Sequence, residues 1–209
     1  MKIKTVVVGM LSTNCYLVYD ENTKRGIVID PGADAARIIN EIEKENINVE
    51  YVIFTHAHFD HILAYHGLKE KYENIKLIIG EKEKEALGDE KINLASFSRM
   101  PYKVIKEDIT VKDGEYIELD NVKLKIIETP GHTKGGISLF DGENLFSGDV
   151  LFYNSIGRTD FPTGNYNEEI ETIENILFKL PDETIVYPGH GETTTIGYEK
   201  ENNEALKWR

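Results

Sequence analysis

The chain has 209 residues, with 24 Lys and Arg against 37 Asp and Glu, a formal net charge of −13, and 40% hydrophobic and 10% aromatic residues. That length leaves room for one large domain, the composition excludes disorder as the main state, and the acidity argues against an electrostatic footprint for nucleic acid or an anionic membrane. The single cysteine, Cys15, excludes an internal disulfide framework and no apolar run approaches the roughly 18 residues of a membrane span, so a soluble protein of the reducing cytoplasm is expected.

The N-terminal apolar run is about seven residues long and meets polar Ser12-Thr13-Asn14 at once, which reads as a strand and not a signal peptide. Strands are predicted at 5–8, 15–19 and 26–29, the last closed by Asp30-Pro31-Gly32. A helix follows with Asp34 as N-cap and Ala35, Ile38, Ile39 and Ile42 on one face. Residues 51–54 form a compact apolar strand, 60–72 a second amphipathic helix, 77–79 a strand and 81–87 a short charged helix. Periodicity is weak from 88 to 102, which reads as the crossing between two halves of a single domain over 1–209. Strands resume at Ile109–Val111, Tyr116–Leu119, 122–127, Ile137–Phe140 and 144–146. A helix over 167–180 and a strand over 184–187 follow, and then a mostly polar tail whose largest apolar anchor is Trp208. Both halves carry strands and helices, so the expected architecture is α/β: two sheets face to face with helices outside, a four-layer αββα sandwich.

The chain has six histidines, and three of them fall in Thr55-His56-Ala57-His58-Phe59-Asp60-His61. Coming off a strand, His56 and His58 are two apart and point the same way, while Asp60 and His61 start the next helix and turn toward a neighbouring point. One loop could thus serve two adjacent metal positions. For an isolated Asp at a helix start, capping is the ordinary role, but three histidines and an aspartate packed this tightly exceed surface composition. Thr129-Pro130-Gly131-His132 and Tyr187-Pro188-Gly189-His190 share a second format, in which a Pro-Gly turn after an apolar strand presents a histidine at a sheet edge. Ser147-Gly148-Asp149 offers a carboxylate able to bridge two metals. His66, five residues after His61 on a helix, reads as packing or surface, and Cys15 as a buried structural thiol.

His-x-His-x-Asp-His, followed by Pro-Gly-His-Thr, Gly-Asp and a final Gly-His, resembles the metallo-β-lactamase-fold hydrolase superfamily. Asn14-Cys15-Tyr16-Leu17 and Ile29-Asp30-Pro31-Gly32 are also typical of it, so the resemblance covers nearly the whole chain. Gly157-Arg158-Thr159-Asp160-Phe161-Pro162 is similar to the glyoxalase II-like branch and the related persulfide dioxygenases. The resemblance implies that His56, His58 and His132 hold one metal, that Asp60, His61 and His190 hold the other, and that Asp149 bridges them. Lactamases of this fold often carry Arg at the His61 position or a Cys ligand, and here every ligand is His or Asp, which weighs against a lactamase. The helical C-terminal region that supplies glutathione contacts in full-length glyoxalase II enzymes is largely absent after His190, and Ile62-Leu63-Ala64 replaces a small, glycine-containing stretch.

Ligation by nitrogen and oxygen suits two divalent ions, zinc first, with iron or manganese also suited. A water between two metals loses a proton near neutral pH, and a thioester suits such a site because a thiolate leaves with little help from an acid. Asp60 could orient that water or take its proton while ligating, and Arg158 could hold a substrate carboxylate in its planar fork, or else pair with Asp160. The leading expectation is a dinuclear hydrolase of a small thioester such as S-lactoylglutathione. The alternatives are a mononuclear iron persulfide dioxygenase, an RNA-processing nuclease, which the net charge and the lack of a basic insertion oppose, and a non-catalytic metal module.

Overall fold

The computed structural model describes residues 1–98 and 101–207, so Met100 and Trp208 lie outside the described residues. Strands β1 (Lys2–Val8), β2 (Thr13–Tyr19), β3 (Arg25–Ile29), β4 (Asn48–Phe54), β5 (Lys76–Gly80) and β6 (Ile109–Val111) form one sheet in that order. The first three are antiparallel and joined by short turns, while β3 to β6 run parallel and need crossovers. The crossovers carry α1 (Ala35–Glu45), then α2 (Phe59–Ile62) and α3 (Tyr65–Lys71), then α4 (Ala95–Ser98). The second sheet takes β7 (Tyr116–Leu119), β8 (Val122–Glu128), β9 (Ile137–Phe140) and β10 (Asn144–Gly148) as an antiparallel meander. After a small hairpin, β11 (Leu151–Phe152) with β12 (Ser155–Ile156), helix α5 (Tyr166–Asn175) crosses back. It leads to β13 (Ile185–Pro188), parallel to β10, and to the edge strand β14 (Thr194–Thr195), and α6 (Ile196–Asn202) follows.

Alternation along the strands sets the layers. In β2, Cys15, Leu17 and Tyr19 join the cluster under α1 and α3, while Tyr16 and Val18 join the cluster between the sheets. In β4, Val52 and Phe54 face the helices and Ile53 faces the other sheet. In β10, Phe146 enters the inter-sheet core and Leu145 packs under α5 with Ile173 and Val186. The result is the αββα sandwich, in which each fully buried large side chain stabilises by roughly 1.5–3 kcal/mol through apolar burial.

Several boundaries differ from the sequence reading. Ile109–Val111 pairs with β5, so the chain changes sheets at 112–115 and not near 88–102. Asp108 docks that segment by accepting the Leu77 N–H at 2.8 Å and donating its own N–H to the Leu77 carbonyl. Asp34 is the N-cap residue of α1 and its carbonyl accepts the Arg37 and Ile38 N–H groups, but its side chain does not cap: the backbone is left-handed (φ 53°) and the carboxylate accepts the Gly9 N–H at 2.9 Å instead. The helix expected over 60–72 is split because the Ala64 N–H leaves the helical ladder for the Pro31 carbonyl. The short charged helix is a 3₁₀ turn at Lys84–Gly88, and the helix over 167–180 stops at Asn175 before a 3₁₀ turn at Leu177–Lys179. Among the described residues no helix is long and apolar enough to cross a membrane.

Candidate metal centre

All seven residues singled out as ligands converge at the ends of β4, β8, β10 and β13, where the two sheets open toward one edge. His56, His58 and His132 each offer a ligand atom within 4.8 Å of the others, and so do Asp60, His61 and His190. Asp149 lies between the two groups, with Oδ1 3.3 Å from His61 Nε2 and Oδ2 3.5 Å from His190 Nε2 and 3.8 Å from His132 Nε2. Gly189 lets the backbone pass beside this point: a Cβ there would sit 2.1 Å from Asp149 Oδ1 and 2.7 Å from His61 Cε1.

Neighbouring groups fix which ring nitrogen faces inward. Thr55 Oγ1 donates to Asp30 Oδ2 at 2.7 Å, so its lone pair accepts from His56 Nδ1–H at 3.1 Å and leaves Nε2 bare. His132 Nδ1 donates to the Arg158 carbonyl at 2.7 Å, and His190 Nδ1 to the Leu11 carbonyl at 3.0 Å. His61 Nδ1 donates to Asp30 Oδ2 at 3.0 Å. His58 is turned the other way, with Nδ1 2.9 Å from His132 Nε2.

The donor set fits metal ions. Nε2 of His56 and His61 and Oδ1 of Asp149 are buried with no hydrogen-bond partner among the described residues, a costly arrangement unless a cation completes it. Burial holds His56 and His58 well below the usual histidine range, His58 at about 3, and their neighbouring rings push the same way. These two are therefore neutral and ready to ligate. Burial also opposes charge on His61 and His190. The Asp149 and Asp60 carboxylates outweigh it, raising His61 well above its usual value and His190 to about 9. Burial pushes Asp149 up, but the charge of His61 and the nearby His190 ring, 3.3 and 3.5 Å away, hold it well below the carboxylate range. The carboxylates thus draw positive charge to the second triad, and an ion binding there displaces protons.

Beside the ligands opens a cavity of about 390 Å³, with Leu11, Phe59, Leu94, Phe152, Ile156 and Phe161 among its walls. Arg158 lines it too, but its side chain is exposed, paired with Asp160 through Nε (2.9 Å) and Nη2 (2.7 Å), and laid over the Phe161 ring. Asp60 Oδ2 lies 3.2 Å from His190 Nε2 and 3.3 Å from Thr13 Oγ1, on the cavity wall. His66, on α3, is bonded to the Lys103 carbonyl and does not line the cavity, and Cys15 is buried in β2, where burial pushes its thiol up. Sequence reasoning missed the supports. Asp30 orients His61 and Thr55, and Asn14 ties the His190 turn to β2 by donating to the Pro188 and Gly191 carbonyls at 3.0 Å. Asp30 was visible only as part of its Asp-Pro-Gly turn.

The family model described as the metallo-beta-lactamase superfamily matches residues 8–190. Hydroxyacylglutathione hydrolase GloC of Haemophilus influenzae is 35% identical over 216 residues, covering 99% of this chain and 98% of that protein. The crystal structure of BLEG-1 B3 metallo-β-lactamase superposes with a TM-score of 0.88 at 33% identity, covering 97% of this chain and 98% of that one. TTHA1623, solved in a di-iron-bound form, superposes with a TM-score of 0.85 at 28% identity, with 96% and 98% covered.

Proposed function

The chain belongs to the metallo-β-lactamase superfamily, and from that premise we propose that it is a dinuclear metal-dependent hydrolase that cleaves a small hydroxyacyl thioester such as S-lactoylglutathione. The observation that carries this reading is the meeting of two triads at one carboxylate, with buried, unpartnered ligand atoms on both. His56, His58 and His132 would hold one ion, Asp60, His61 and His190 the other, and Asp149 would lie between them. Zinc fits this ligand set, as do iron and manganese, and the di-iron form of TTHA1623 supports two ions in such a fold. Ions held there would supply Lewis acidity at a substrate carbonyl and a water whose pKa is brought near neutrality.

The chain's own groups do the rest. Asp60 Oδ2 accepts the proton of the attacking water and is held for this by Thr13 Oγ1. The apolar walls take the acyl and thiol portions and exclude bulk water, which strengthens every electrostatic contact inside. The thiolate departs without a dedicated acid. Arg158 stands at the rim, where a substrate carboxylate can take the place of Asp160 in its fork. GloC, matched over 98% of its length, is named a hydroxyacylglutathione hydrolase, which supports a glutathione thioester as the substrate.

The test is metal content per chain with S-lactoylglutathione hydrolysis on the same sample. Close to two ions with turnover, both lost in Asp149→Ala, is expected. About one iron per chain with oxygen uptake on glutathione persulfide and no thioesterase would refute the reading in favour of a dioxygenase. The likeness to BLEG-1 favours a second reading, a β-lactam as the acyl donor, and nitrocefin turnover on that sample checks it.

A further inference from the structure

Glu83, in the turn after β5, is 4% exposed, although it does not line the cavity and, among the described residues, forms no ion pair or hydrogen bond with a candidate ligand side chain. Its Oε1 accepts the Ala57 N–H at 3.1 Å, and its Oε2 accepts the Gly135 N–H at 2.9 Å. Ala57 is the residue between His56 and His58, and Gly135 lies three residues after His132. One carboxylate therefore spans the two loops that carry the whole first triad, one loop from each sheet. The loops are pressed onto it: a Cβ on Gly135 would lie 2.3 Å from the Glu83 nitrogen and 2.4 Å from the Lys82 carbonyl carbon. No Lys or Arg among the described residues forms an ion pair with Glu83. A buried carboxylate without a cation is costly, and what it gains here is two backbone donors on separate loops.

We propose that Glu83 is the positioning residue of the first metal site, clamping the His56–His58 loop and the His132 loop at the separation that its three imidazoles need. This rests on the metal reading above. Metal sites tolerate ligand displacements of only about 0.2 Å, and supports behind the ligands commonly set affinity by 10–100-fold. Glutamate suits the task because both of its oxygens accept. In Glu83→Gln one side would present an amide N–H to a backbone N–H, forcing one loop away.

The experiment is titration of metal-stripped protein with Co²⁺ against a chelator, for wild type and Glu83→Gln. Hyperfine-shifted imidazole N–H signals identify each site, three for the first triad and two for the second. The expected result is a fall of about 10–100-fold in first-site affinity, with the second site within about two-fold of wild type. Equal affinities in variant and wild type would overturn the clamp. So would equal weakening of both sites, which is what general destabilisation produces. If Glu83→Gln fails to fold, Glu83→Asp carries the test: it keeps the charge, is too short to reach both loops, and should weaken the first site alone. Fewer than two ions on wild type would refute the dinuclear reading, and the change in the three-histidine signals would still decide the clamp.

Discussion

Glu169 gives a prediction that needs no substrate. It sits in the first turn of α5, where Asn165 caps the helix and donates its N–H to the Gly131 carbonyl, and Thr172 donates to the Pro130 carbonyl. The residue is fully buried, and burial pushes its carboxyl from 4.5 up to about 9, outweighing the backbone N–H groups of His132 and Gly157 beside it, which pull the other way. Between these values the unfolded chain is ionised at this position and the folded chain is protonated. The unfolded state therefore binds fewer protons, and stability falls as pH rises by one proton's slope, about 1.4 kcal/mol per pH unit. Glu169→Gln removes that slope. In metal-stripped protein, wild type should lose on the order of 4 kcal/mol more than the variant between pH 5 and pH 8, as read by urea unfolding at each pH. The offset at pH 5 reports amide packing and is not diagnostic. Parallel curves would show that Glu169 is ionised in the folded state and would refute the reasoning.

Asp30→Asn removes the carboxylate that holds His61 Nδ1 and should weaken metal binding at the Asp60–His61–His190 triad by about 10–100-fold, measured by chelator competition, with a smaller loss at the first triad, which Asp30 reaches only through Thr55 and His56. Arg158→Ala should raise KM for S-lactoylglutathione by about three- to ten-fold with kcat kept, and Asp160→Asn should lower it by freeing the guanidinium. Unchanged KM in both variants would leave Arg158 as a surface ion pair.

The cluster of candidate ligands was legible because histidine is rare in this chain and the six are not scattered: three lie in one short motif and two repeat Pro-Gly-His. The layers were legible from alternation, as in β2, whose two faces enter two different cores. The supports were not. Glu83, Asp30 and Glu169 are three among 37 carboxylates, and nothing in their local sequence says which will be buried. Asp34 had the right position for a cap, yet the Gly9 amide won its side chain, a contact between residues 25 apart that no window of a few residues contains. Ile109–Val111 carries a strand signal, but which sheet claims it is decided by Asp108 against Leu77, again at long range.

Neither sheet owns a complete triad. His56, His58, Asp60 and His61 follow β4 of the first sheet, whereas His132, Asp149 and His190 follow β8, β10 and β13 of the second. The edge of the sandwich therefore works as a two-jawed grip, closed further by the backbone bridge between Thr13 and His190. An ion held in such a grip would take ligands from both jaws, so its residence time would depend on breathing of the seam between the sheets as well as on the motion of any one loop. Substitutions deep in the inter-sheet core, at Ile53 or Phe146, would then gain a reach their position does not suggest: they would change how long a bound ion stays while leaving the His and Asp side chains around it in place.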